Sequence, residues 1–259
     1  MTSVQRAASV AATVFVCAMV GLGLQLIVPA AVVAEGRGAV GSVIGVLALL
    51  IALVLGLLIW TSFGVFSSQQ IESNSLSVTT LQLDYLLEQY GPEAIPGRMG
   101  LRASVKGSRE RFFSGKGPET ETSYERARQN LHGIDSFFAT LHPQDDERKQ
   151  LLATAKPMAL SIVHTQLMMT RQLINPVPSL LLVMVQVWAS LLFLGFGVMG
   201  NVSVFSVIAD AAGAFAIASA IFLIIEFSEP YSGLFRISPA GIDKVISELA
   251  AHAPAASPV

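Results

Sequence analysis

Few side chains in this sequence have the chemistry to act, and the most conspicuous are two carboxylates where charge is costly. No charged residue lies between Arg171 and Asp210. A carboxylate inside so apolar a run faces either a helix-bundle interior or water. Asp210 stands about eight residues into its run, roughly 12 Å along a helix rising 1.5 Å per residue. Two readings stand for it. It lines a polar path or titrates during transport, or it sits near the outer interface and bonds a neighbouring helix through Ser203 or Ser206. Glu226, at the other end of the run, is expected to snorkel or to pair with Arg236. Gln25 and Gln186 can each bond between helices for roughly 1 kcal/mol.

Catalytic constellations are missing. The four histidines, His132, His142, His164 and His252, lack metal-ligand spacing. Cys17 is the single cysteine and has no partner for a disulfide or a zinc site. Neither a nucleophile elbow nor a phosphate-binding glycine loop is present. The reading is therefore not an enzyme, with no cofactor and no metal. One further arrangement has chemical content. Trp60, Phe63 and Phe66 are followed by Ser67, Ser68, Ser73, Asn74, Ser75, Ser77, Thr79 and Thr80. Aromatics opening into a hydroxyl-rich helix suit a hydrophobic pore constriction above a wet vestibule. They suit better an interfacial aromatic belt over a polar surface helix, the more ordinary arrangement.

The elements that position these groups follow from composition. Hydrophobic residues make up 53% of the 259 and charged ones 13%, about half the roughly 25% usual in soluble domains. A net charge of −2 gives no reason to expect a nucleic-acid partner. Four runs are long enough to cross a bilayer, which takes about 20 apolar residues: Ala7 to Ala34, Ala39 to Phe66, Ser179 to Met199 and Val202 to Phe227. Lipid leaves irregular backbone unsatisfied, so each is expected to be a helix. A signal peptide is the rival for the first run, but its apolar core far exceeds the roughly 7–15 residues of such a segment. Glu35–Gly38 and Gly200–Asn201 are expected to be the hairpin loops, with Pro29 bending the first span. Gly41 and Gly45 form a GxxxG pair, Gly21 and Gly23 sit in the first span, and all suggest close helix contact.

Twelve of the sixteen Lys and Arg lie between the second and third spans. Arg6, Arg171 and Arg236 flank span ends on that same side, which the positive-inside rule places in the cytoplasm. The expected organisation is all-α. Transmembrane helices 1 and 2 occupy residues 1–66, a cytoplasmic helical segment 67–176, and transmembrane helices 3 and 4 residues 177–228. A turn, short helix and tail take up 229–259. Both termini are expected to face the cytoplasm. Within the segment, breakers divide helices at 67–90, 93–113, 122–141 and from Asp145 onward, with a loop at 114–118. The acids Asp145, Asp146 and Glu147 suit a helix start.

Two stretches carry a resemblance. One is Ala52–Leu58 with Leu83–Ala94 downstream, which contains Asp84, Tyr90, Gly91, Pro92 and Glu93. The other is Phe196–Asn201, Ile221–Glu226 and Pro230–Ser238, which contains Gly233 and Arg236. Together they resemble the bacterial bestrophin-like membrane proteins over residues 40–250. Arg98 and Arg102 match the arginines that follow the first stretch in such proteins. Phe63 and Phe66 depart from the pattern, which has a basic or small polar residue after the second span. The resemblance implies four spans with cytoplasmic helices between the second and third. Bestrophins proper are pentameric channels, mostly for anions. The implied function is an oligomeric channel for small inorganic ions, anions among them, in a lipid bilayer. The alternative is a non-conducting scaffold or sensor that binds a protein through its cytoplasmic helices. A transporter using Asp210 is a third reading. Arg236 is expected to pair with Asp84 or Glu88.

Overall fold

A computed structural model describes residues 3–113, 120–174 and 179–252. Among them every regular element is a helix. In chain order these are α1 (Ser3–Ile27), α2 (Ala30–Tyr90), a 3-10 turn (Pro92–Ala94), α3 (Ile95–Phe113), α4 (Thr120–Thr140), α5 (Asp146–Ile174), α6 (Ser179–Met199), α7 (Val204–Ser228) and α8 (Ala240–Ala251). Four of them, α1, α2, α6 and α7, are long and apolar enough to cross a membrane. The chain is an all-α integral membrane protein. The loop expected at 114–118, and the tail beyond His252, lie outside the described residues.

The first hairpin differs from expectation. Residues 35–38 lie inside α2, and the break falls at Val28–Pro29 instead. Proline has no N–H to donate and its ring clashes with the carbonyl four residues back, so it ends α1 rather than bending it. Gly36 and Gly38 cost a helix far less and are absorbed. At α5, Asp145 Oδ1 accepts the Arg148 N–H at 2.7 Å, so the acidic cluster does cap a helix start.

The chain forms two compact units. A transmembrane unit comprises Met1–Phe66, Val177–Glu229 and Gly233–Phe235, and a helical unit comprises Ser67–Pro176, Pro230–Ser232 and Arg236–Val259. In the transmembrane unit α1 packs most extensively on α6 and next on α7. Its core draws on Val10, Val14 and Ala18 of α1, Ile44, Ile51, Leu55 and Leu58 of α2, Val185, Ala189 and Leu192 of α6, and Ala214, Ile221 and Ile224 of α7. The spacing of three, four and seven keeps these on one face of each helix. In the helical unit, Leu76, Leu83, Leu87 and Tyr90 of α2 face Leu101 and Val105 of α3 and Ala155, Ala159 and Ile162 of α5, and Ile242 of α8 completes the core.

Candidate functional site

The first family segment builds a buried ionic clasp in the helical unit. Gly91 has φ 114°, a conformation that a side chain resists. Its carbonyl accepts the Ala94 N–H at 3.0 Å, and Pro92 opens the 3-10 turn. The chain thereby doubles back, and Arg98, seven residues after Gly91, meets Asp84, seven before it. Nε and Nη2 of Arg98 donate to Oδ1 and Oδ2 of Asp84, both at 2.8 Å, with the side chains only 7% and 8% exposed. This is the two-pronged geometry that makes arginine–carboxylate pairs strong. Glu88 adds a longer contact at 3.6 Å. The hydrogen bond to Asp84 holds the guanidinium pKa above its ordinary value against the opposing effect of burial. Arg98 Nη2 and Arg102 Nη2 each also donate to the carbonyl of His252, at 3.2 Å, and so hold the end of α8.

Tyr90 and Glu93 flank this clasp. Tyr90 is buried, and the Arg148 guanidinium lies 5.4 Å from its ring centre, a cation–π contact. Arg148 also reaches Glu93 at 3.7 Å. Burial and the Glu93 carboxylate both raise the Tyr90 pKa. None of these groups is presented as a nucleophile or a metal ligand, and no metal-binding cluster occurs among the described residues.

The second segment is used differently. In the helical unit the buried Pro230 accepts the Ile237 N–H at 2.8 Å, and the Tyr231 hydroxyl donates to Gln69 Oε1 at 2.8 Å. Gln69 Nε2 donates to the Met169 carbonyl at 3.0 Å and to Gln172 Oε1 at 2.7 Å, and Gln172 Nε2 donates to Ser68 Oγ at 2.9 Å. Phe112 and Phe113 close on the Tyr231 ring. Burial pushes the Tyr231 phenol well up from its usual range. The folded pKa exceeds the unfolded one, so this contribution to stability is complete below about pH 10 and is lost as pH rises further. Tyr231→Phe is expected to flatten the decline by up to about 1.4 kcal/mol per pH unit, read from unfolding midpoints between about pH 9 and 11.

In the transmembrane unit Glu226 is buried at 2% exposure and neither snorkels nor pairs with Arg236. Its Oε2 accepts the Leu234 N–H at 2.6 Å and the Phe235 N–H at 3.2 Å, and Ser3 Oγ donates to Oε1. Gly233, at φ 81°, lies so close that a Cβ there would collide with this carboxylate. Arg236 is exposed, and both acids expected to bind it face Arg98 instead, Asp84 at 2.8 Å and Glu88 at 3.6 Å.

The aromatic trio is not gathered into one constriction within the chain. Trp60 is 73% exposed, whereas Phe63 and Phe66 both turn to Phe227 of α7, with ring centres 5.6 Å away. Asp210 is buried on α7. Ser203 and Ser206 do not reach it: Ser203 Oγ accepts the Ser206 N–H at 3.1 Å as the cap of α7, and Ser206 Oγ donates to the Asn201 carbonyl at 2.7 Å. Gln25 reaches the connection between α6 and α7 rather than a helix, donating from Nε2 to the carbonyl of Gly200.

No protein-family model and no curated protein sequence matches the chain. Solved structures do match it. A bacterial bestrophin homologue from Klebsiella pneumoniae with a leucine-to-threonine substitution aligns at TM-score 0.64 and 14% identity, over 92% of this chain and 98% of that one. The chain has a bestrophin-like fold. The Klebsiella pneumoniae homologue with an isoleucine-to-threonine substitution aligns at 0.61 and 14% identity, over 92% and 99%. A membrane protein with a proline-to-alanine substitution aligns at 0.64 and 14% identity, over 92% and 97%. The bestrophin-like fold accounts for the arrangement of helices and leaves the roles of individual side chains to chemistry.

Proposed function

We propose that this chain is one protomer of an oligomeric bestrophin-like channel for small inorganic ions, with anions the first candidates. It sits in the bacterial inner membrane with both termini and the helical unit on the cytoplasmic side. The observation that carries the reading is a fold shared with bacterial bestrophin homologues over nearly the full length of both chains. Bestrophins proper are channels, and four membrane helices with a helical body between the second and third is their plan.

An exposed stripe supports the oligomer. On α2 within the helical unit, Ile71 is 64%, Val78 55% and Tyr85 60% exposed. Their seven-residue spacing puts all three on one face, opposite the buried Leu76, Leu83 and Leu87. Large apolar side chains lined up and exposed on one helix face outside the membrane suit a protein interface. Because the face is already solvent-exposed in the single chain, Val78→Asp should leave the protomer folded. It should weaken assembly roughly tenfold or more, the equivalent of about 1.5–3 kcal/mol per buried apolar side chain. Mass photometry of the solubilised protein reads this directly.

Conductance in planar bilayers under a salt gradient, with oligomeric mass measured in parallel, tests the whole reading. Discrete currents, whose reversal potential gives the ion preference, support it. Silence from a folded, assembled ring overturns the channel in favour of the non-conducting scaffold or sensor.

A further inference from the structure

The helical unit forms a solvent-open cavity of about 580 Å³ between α2, α3, α4 and α5, within the range of roughly 300–1,000 Å³ typical of small-molecule sites. Its origin is legible in the glycines. Gly97 of α3 lies so close to the Phe137 ring of α4 that a Cβ there would collide with it. One turn on, Gly100 of α3 and Gly133 of α4 both line the cavity, and a Cβ on either would meet nothing within 4 Å. The two helices touch at one point and part, and the opening stands beside the buried side chains Leu87, Leu101 and Ile162.

The lining chemistry selects the occupant. No lysine, arginine, aspartate or glutamate lines the cavity, so an ionic ligand would lose its hydration without gaining a counter-charge. Ser104 is already bonded, its Oγ accepting from Gln166 Nε2 at 3.2 Å. Asn130 lines the cavity half-buried, and its amide has no hydrogen-bond partner among the described residues. We propose that this cavity binds a neutral amphiphile, with an apolar chain against Leu87, Leu101 and Ile162 and a hydroxyl or carbonyl head on Asn130. The inference does not depend on the chain conducting.

The lone Cys17 lies on α1, in the other unit, and makes a clean test possible. In a Cys17→Ser background of the full chain in lipid nanodiscs, Gly133→Cys is modified by a charged thiosulfonate with and without 1-decanol. Ser247→Cys on α8 serves as the control. At four times its Kd, decanol is expected to slow modification at position 133 about fivefold, since protection scales as 1 + [L]/Kd. Position 247 should be unaffected, and decanoate should give no protection. Adding Gly100→Leu, which fills open space, should abolish the effect. Four outcomes overturn the proposal: no protection, equal slowing at both positions, protection by decanoate, or a position 133 that reacts only when the oligomer is diluted apart. The last would show a neighbouring copy in the cavity. Ser136→Cys, also on the lining, provides a second reporter should Gly133→Cys fail to fold.

Discussion

Arg98→Met is expected to destabilise the helical unit by about 3–5 kcal/mol, the cost of leaving one member of a buried ion pair without its partner. Both side chains are more than nine-tenths buried, so water cannot replace the lost donors to Asp84. Methionine fills similar volume, which separates the loss of charge from the creation of a cavity. Two consequences distinguish this from general damage. The double variant Arg98→Met with Asp84→Leu should recover much of the loss, because replacing a buried pair entirely by apolar groups is often neutral. The end of α8 should also loosen, because the His252 carbonyl keeps only the Arg102 donor. Hydrogen–deuterium exchange read by mass spectrometry should show faster exchange in residues 84–102 and in α8. The exposed pair of Arg109 with Asp243 is the control. Its removal should leave exchange in the core unchanged, because solvent screens such pairs. If Arg98→Met exchanged like the wild type, the clasp would have no structural role.

That pair also shows where reading the sequence stops. The membrane spans were legible because a bilayer imposes a length and forbids charge, and both constraints act along the chain. The partner of Asp84 was not: Arg98 stands where the sequence suggests Arg236, against Asp84 and Glu88. The missing information was local: Gly91-Pro92 reverses the chain, and residues seven before and seven after the reversal then face each other. A glycine–proline break treated as a fold-back, rather than only as a stop and restart, would have found Arg98. Glu226 is harder to anticipate. Its partners are backbone N–H groups of a turn that forms only because Gly233 adopts a positive φ beside it. The exposed stripe of Ile71, Val78 and Tyr85 was readable as periodicity, but only the buried opposite face shows which stripe is left uncovered.

Glycine spacing proved the least reliable guide, and it leads to the second large effect. Within the chain the GxxxG pair on α2 makes no close contact: a Cβ on Gly45 meets nothing within 4 Å, and one on Gly41 meets only the flexible end of Met199 at 3.4 Å. The tight crossing is between α1 and α6. A Cβ on Gly197 would collide with the Ala18 carbonyl oxygen and lie 2.7 Å from the Leu22 nitrogen and 2.9 Å from the Gly21 carbonyl carbon. On the other side, a Cβ on Gly21 would collide with the Leu194 carbonyl oxygen. Every one of these atoms is backbone, so no side-chain rotation relieves the clash and the helices must separate. Between helices in lipid, close van der Waals packing is the main attraction, because transfer from lipid to protein gains little hydrophobic energy. Gly197→Ala is therefore expected to cost about 3 kcal/mol, the upper end for overpacking. The cost should appear as a lower midpoint in thermal unfolding and reduced yield of assembled protein. Gly45→Ala adds the same methyl group where space is open, and should be neutral or stabilise α2 by about 0.5–1 kcal/mol through lost backbone freedom in the unfolded chain. Gly23→Ala, on α1 with open space around it, should behave like Gly45→Ala. A large loss at position 197 beside small changes at 23 and 45 locates the contact in α1 and α6; equal effects at all three would place it elsewhere.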